Sequence, residues 1–435
     1  MLPARWRELF SLIPVSLLVT AGFTAVLITR SESTDEVTTT YGLLFLGCCV
    51  FAHLFIRARL PDADPYLFPL AAVLAAVGLV MIYRIDEGKA LDQATWFVVG
   101  LILFVATIVL LRDHRALERY RYTIAAAGLA LLFMPRLPGI GSQVNGAVLA
   151  VDIGPVEFQP AEFAKIAIIV FLASYLNDTR EVLVTGRIPR LSLKHFGPLL
   201  LVWGAAMLML VFIRDLGSSL MFFGGFLALL YVATARMSLV AAGFGLFLAG
   251  SAFFANNISH VQERVDIWRD PFAKDVVEEE GYQVAQGLFA QADGGLFGTG
   301  FGESLLRLPS GQSILPAPDT DLVYAVVTNE LGLFGASGLV LVYLLFAQRG
   351  FKTAMVANDG FSKLLAAGLT AVFALQVFVI IGGVTKVIPL TGVTLPFVSY
   401  GGSSIVANFV LLALLLVVSD SARREAPREG GLVAS

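Results

Sequence analysis

Two carboxylates, Asp319 and Asp321, flank Thr320 just where an apolar run begins, in Pro318-Asp319-Thr320-Asp321-Leu322. One of them suits a helix N-cap. Carboxylates this close could also share a divalent cation, Mg2+ or Mn2+, or divide acid and base roles between them. Further along the same run lies Glu330, able to face the same cavity or to pair with a neighbouring span. Glu162 and Lys165 are three apart in Phe158-Gln159-Pro160-Ala161-Glu162-Phe163-Ala164-Lys165, hence neighbours on one helix face. They read either as an internal ion pair that locks helix packing or as the lining of a polar cavity. In the second case Lys165 is suited to hold a phosphate as a point charge. Asp215, in Arg214-Asp215-Leu216-Gly217, reads as a cap that complements the helix dipole or as a group for chemistry.

A second kind of signal is backbone rather than charge. Residues Pro389 to Ser404, with Thr391, Ser399 and Gly401 among them, hold two prolines and three glycines and cannot form an unbroken helix. Their amides and hydroxyls could hold an anionic headgroup, or the break could be purely structural. Between residues 257 and 320 lies a long polar connection, with Arg264 in its first part and an acidic run at Glu278-Glu279-Glu280. After that run, Gln283, Gln286 and Ala290 share one face at helical spacing. Other signals are weak. Gly298-Thr299-Gly300-Phe301-Gly302 follows no strand of a βαβ unit, so it is no dinucleotide fingerprint. His53, His114, His195 and His260 lack metal-ligand spacing, and no nucleophile with a base partner is apparent.

The elements that must position these groups are membrane helices. The chain is 57% hydrophobic and only 14% charged, with a mean hydropathy of +0.80. Soluble proteins run near a quarter charged, so a soluble enzyme and a disordered chain are excluded. A net charge of −3 leaves no basic field for nucleic acid. Cys48 and Cys49 are adjacent in an apolar run and read as packing residues. A bilayer needs roughly 20 apolar residues per helix. Candidate spans lie near 10–29, 41–56, 67–83, 95–111, 122–135, 161–176, 196–213, 215–234, 237–255, 321–347, 362–385 and 395–418. The expected fold is thus an all-α polytopic membrane protein of about twelve spans. The first run has no small-residue cleavage site after it and reads as a retained helix. Most of the 30 Lys and Arg fall on the side of the N-terminus, which predicts both termini in the cytoplasm. The connections 136–160 and 257–320 then face outward. Chemistry is expected in the membrane or at its outer face.

The motifs resemble a known family. Phe158 to Lys165 resembles the F-Q-P-[SA]-E-x-[AS]-K signature of the SEDS proteins of shape, elongation, division and sporulation. The resemblance continues in order through Asn145-Gly146-Ala147, Asp215-Leu216-Gly217, Gly281-Tyr282-Gln283 with Gln286, Thr320-Asp321, Glu330-Leu331-Gly332 and the Pro389–Ser404 block. It implies a peptidoglycan glycosyltransferase that polymerises lipid II at the outer face of the cytoplasmic membrane and releases undecaprenyl diphosphate. It implies Asp321 as the essential aspartate and Glu162 with Lys165 as a salt bridge in the central cavity. It also implies a class B penicillin-binding protein as partner, other elongasome or divisome membrane proteins, and no nucleic acid. Residues 1–60 are then two additional helices, 61–420 the core and 421–435 a short tail. The extra pair is similar to the actinobacterial RodA branch.

The chain departs from the pattern at Ile213-Arg214, where many members carry Gln-Pro, and at Asp319, where many carry His. Acting on this resemblance, Asp321 is the expected general base, and Lys165, Arg264 or a divalent cation would stabilise the departing diphosphate. Asp215, Gln283, Gln286, Thr391, Ser399 and Gly401 complete the expected substrate site. A lipid II flippase and a recruiting scaffold are the competing readings, although the first does not need a carboxylate delivered by a long outer loop and the second does not need Glu162 and Lys165 within the membrane.

Overall fold

Most of the apolar runs become helices, because a backbone in hydrocarbon must satisfy its own hydrogen bonds. A computed structural model describes residues 3–29, 37–111, 113–144, 147–153, 156–185, 215–273, 281–304 and 314–430, with single positions 197, 204, 207 and 277. The helices are α1 (Ala4–Thr29), α2 (Val37–Arg59), α3 (Leu67–Ile85), α4 (Glu87–Leu110), α5 (Ala116–Arg119), α6 (Arg121–Phe133) and α7 (Pro160–Thr185). After these come α8 (Leu216–Thr234), α9 (Met237–Asn257), α10 (Ser259–Arg269), α11 (Tyr282–Gly294), α12 (Val323–Val356), α13 (Gly360–Val384) and α14 (Gly402–Gly430).

Ten helices among the described residues are long and apolar enough to cross a membrane. Of the other two expected spans, 196–213 lies almost wholly outside the described residues, and 122–135 becomes the 13-residue α6. The Glu278–Glu280 run, Asn145-Gly146 and Arg214 also lie outside the described residues. The last span begins at Gly402 rather than 395, because residues 391–401 are irregular. The segment expected as a tail begins as a continuation of α14, with Ala422 buried.

The connection before α7 holds a small antiparallel sheet that sequence did not indicate. Its strands β1 (Gly141–Val144), β2 (Ala147–Ile153) and β3 (Val156–Phe158) run in the order β1-β2-β3. In register, Gly141 faces Val151, and Val151 in turn faces Phe158.

The core lies along α14, whose residues Leu411 to Val418 are all buried, and which packs on α4 and α12. By contrast α9 has no fully buried residue and turns Phe244, Leu246 and Phe253 outward, as a lipid-facing helix can. The first two helices, α1 and α2, pack on α3 and α4. Polar contacts hold their ends. Arg5 bonds Glu8 and the Ala63 carbonyl, and His53 Nδ1 lies 2.8 Å from Glu8 Oε1. Beside them the buried Asp64 takes Arg349 at 2.5 Å and also Arg423, so the start of α3 is tied to α12 and α14. Buried ions are tolerated when paired in this way.

Within α12 the helix breaks at Gly332, which adopts φ 65° and ψ −169°. The break frees carbonyls of the preceding turn, and the glycine-rich loop meets them. Thr299 N–H donates to the Asn329 carbonyl at 2.9 Å, and Gly300 N–H to that of Glu330 at 3.2 Å. A Cβ at Gly332 would stand 2.3 Å from Gly298 N and 2.4 Å from Leu296 O. Its backbone region is open essentially to glycine alone. Gly332→Ala is therefore expected to lower stability by about 3 kcal/mol, read as a fall in melting temperature in detergent.

Candidate active site

Asp321 lies in the turn before α12, and short bonds within residues 314–322 build that turn. Thr320 N–H and Leu322 N–H both donate to the Ala317 carbonyl, at 3.3 and 3.1 Å. The broken segment before α14 clasps it from the other side. Tyr400 N–H donates to the Asp319 carbonyl at 2.8 Å, and Ser399 Oγ–H to that of Thr320 at 2.7 Å. Ser399 Oγ also accepts from Leu395 N–H at 2.9 Å, so this hydroxyl is engaged within the chain. Irregular backbone at this depth is stable because such partners exist. Phe397 holds a left-handed φ of 65° there, with its ring packed on Phe373 and Phe409.

The carboxyl of Asp321 is buried, hydrogen-bonded by the Gln283 side chain of α11 and faced by Arg264 of α10. Burial pushes its pKa up to about 6, Gln283 and Arg264 pull the other way, and the Asp319 charge adds to the rise. Such a carboxyl gives and takes protons near neutrality. Next to it a cavity of about 140 Å³ is lined by Arg264, Trp268, Gln283, Lys386 and Leu390 among others. Arg264 Nη1 donates to the Leu390 carbonyl at 2.7 Å, and Trp268 Nε1 to that of Lys386 at 3.1 Å. Helix α10 is thereby hung on the segment after α13. Gln286 is half-buried one turn beyond Gln283 on α11.

The other expected residues fall nearby in differing roles. Asp215 caps α8, accepting from Ser218 N–H at 2.9 Å. Burial raises its pKa against the pull of Ser218, and it also senses the charges of Glu162 and Arg264. Thr391 packs on Gly217, one residue into α8, and its Oγ1 is buried without a hydrogen-bond partner among the described residues. The Gly401 N–H lies 3.4 Å from Gln93 Oε1. Lys165 Nζ is buried between Glu162 Oε2 and Gln376 Oε1, at 2.6 Å from each. Gln376 Nε2 in turn donates to the Thr394 carbonyl at 2.9 Å. The pair thus locks α7, α13 and the broken segment together. Glu330 turns away from Asp321: it meets Arg84 at 3.2 Å and accepts from Gly302 N–H at 2.9 Å.

Sequence reasoning missed Lys89, Gln93, Gln376 and Tyr400. Lys89 Nζ lies 2.5 Å from Asp319 Oδ2 and 5.4 Å from the centre of the Tyr400 ring. Gln376 carried a usable signal, as a polar side chain in mid-span. The expected cation site is less well served. Asp319 is already matched by Lys89, and among the described residues no three His, Cys, Asp or Glu side chains converge. Mg2+ wants near-octahedral oxygen ligands, so this pair does not fit a protein-held ion.

The model of the FtsW, RodA and SpoVE cell cycle proteins matches residues 65–424. The chain belongs to this family. Peptidoglycan glycosyltransferase RodA of Mycobacterium tuberculosis is 39% identical over 97% of this chain and 92% of its own length. Stage V sporulation protein E of Bacillus subtilis is 30% identical over 83% of this chain and 98% of its own. Among solved structures, a chain from work on a peptidoglycan synthase complex that coordinates polymerization and crosslinking superposes with a TM-score of 0.68. That chain is 27% identical, with 83% of this chain and 98% of that one covered. The rod shape determining protein RodA of Thermus thermophilus gives 0.58 at 26% identity, covering 84% and 97%. The SEDS resemblance read from the motifs is thereby established, and the extra α1 and α2 precede the family match.

Proposed function

We propose that this chain is a peptidoglycan glycosyltransferase that polymerises lipid II, with Asp321 as general base. The observation that carries it is a buried carboxyl with a pKa near neutrality, held by the outer-loop residues Gln283 and Arg264. In this reading the acceptor sugar's 4-hydroxyl attacks the anomeric carbon of the chain's diphospholipid end. Asp321 takes the hydroxyl proton, configuration inverts, and the C–O bond to the diphosphate breaks. Arg264 supplies positive charge beside the cavity as negative charge grows on the leaving group. No step requires a protein-held metal.

The match to mycobacterial RodA over nearly the whole chain favours the elongation branch. The solved complex that joins polymerization to crosslinking favours a class B penicillin-binding protein as partner, with other elongasome proteins. The bias of basic residues favours a bacterial cytoplasmic membrane, both termini inside and the site outside. Polymerisation and lipid scrambling measured side by side in liposomes test the reading. With the partner present, Asp321→Ala is expected to abolish glycan ladders and leave scrambling unchanged. Loss of scrambling with ladders intact would establish a flippase instead.

A further inference from the structure

The cations around this site are not equally free to meet an anion. Lys165 is buried and held at 2.6 Å by both Glu162 and Gln376. Arg84 is committed to Glu330, and Arg264 gives one amine to the Leu390 carbonyl. Lys89 differs. Its side chain is 42% exposed while its partner Asp319 is 6% exposed, and the two lie 2.5 Å apart. Asp319 stands two residues from Asp321, and its own carbonyl is fixed by Tyr400 N–H. The ammonium is therefore anchored to the turn that carries Asp321 while much of the Lys89 side chain stays exposed.

We propose that Lys89 contacts the diphosphate of a lipid-linked substrate, with Asp319 holding its ammonium at the mouth of the site. An ammonium has three donors, and Asp319 takes one of them. The Tyr400 ring, 5.4 Å from Nζ, limits where the head can swing. The remaining donors on this partly exposed side chain suit lysine's use as a point-charge ligand for phosphate. Lys89 also stands against Asp319 where a divalent cation would otherwise have to sit. It supplies the positive charge without a metal. This inference rests on the polymerase reading of the same site, and it adds Lys89 to Arg264 as a diphosphate contact in place of the expected Lys165.

The test is direct binding to the full-length protein in nanodiscs of neutral lipid. The probe is geranylgeranyl diphosphate, with geranylgeraniol as the uncharged control. Lys89→Gln keeps a hydrogen bond to Asp319 but removes the charge, and should weaken diphosphate binding about tenfold. Binding of the alcohol should not change. Lys89→Arg should stay within about threefold of wild type, since charge and pairing survive. Unchanged diphosphate binding by Lys89→Gln overturns the proposal, as does an equal loss for the alcohol, which would mean a collapsed pocket. Asp321→Asn should bind the diphosphate as wild type does while polymerising about a thousandfold more slowly. If it polymerises at the wild-type rate, the base assignment fails and the binding result for Lys89 still stands or falls separately.

Discussion

Asp321→Asn polymerises lipid II about a thousandfold more slowly than wild type, within the range expected when a general base is lost. The amide keeps the shape and still accepts from Gln283, so the fold should survive and melting should be nearly unchanged. The pH profile supplies a separate check. A base must be ionised to work, and burial has pushed this carboxyl up to about 6, with Asp319 adding to the rise. Wild-type rate should therefore be level above neutrality and fall about tenfold per pH unit below roughly pH 6. Steady-state glycan synthesis across that range measures it. A rate that stays level down to pH 5 would remove Asp321 from the base role.

Breaking the Glu162–Lys165 pair should have the largest effect on stability. Glu162→Gln leaves the Lys165 ammonium buried without its counter-charge, and is expected to lose about 3 kcal/mol or more. Lys165→Met strands Glu162 likewise. The double variant Glu162→Gln/Lys165→Met removes both charges and should recover much of the loss, giving a positive coupling in a double-mutant cycle. Unfolding in detergent reads the stability, and glycan ladders read the activity. The geometry assigns the pair to locking α7, α13 and the broken segment, through Gln376 and Thr394. The double variant should accordingly keep measurable polymerisation. Single variants as stable as wild type would overturn that assignment.

The contrast between Lys165 and Lys89 shows how far sequence could go. Lys165 was conspicuous because a charge inside an apolar run is costly. The same logic could not say whether its ammonium was free or enclosed, because Gln376 lies 211 residues away in sequence. Lys89 was inconspicuous because it sits at the start of a helix, where charges are ordinary. Its significance comes from Asp319, 230 residues distant. Asp215 was read as a helix cap or a catalytic group, and the cap is present. Ser399 drew attention as part of a glycine- and proline-rich break. Its hydroxyl proved to be a clasp between that break and the turn carrying Asp321.

The sequence by itself determined the class of molecule, the run of helices, the position of the broken segment and the family. Each of these depends on local quantities: apolar length, the missing N–H of proline, the freedom of glycine, and motif spacing. It also marked Asp319 and Asp321, since carboxylates at the entry to a span are a local fact, and the motif resemblance chose Asp321 between them. Spacing alone placed Glu162 beside Lys165, but only the tertiary structure decided which ions far apart in sequence face each other. Gln283 and Arg264 reach Asp321 from α11 and α10, Lys89 reaches Asp319 from α4, and Lys165 is closed off by α13. Ion pairing depends on distances of a few ångströms between segments hundreds of residues apart, and helical periodicity carries no information about them. The small sheet before α7 was hidden for the same reason, because strand pairing is settled by partners and not by propensity.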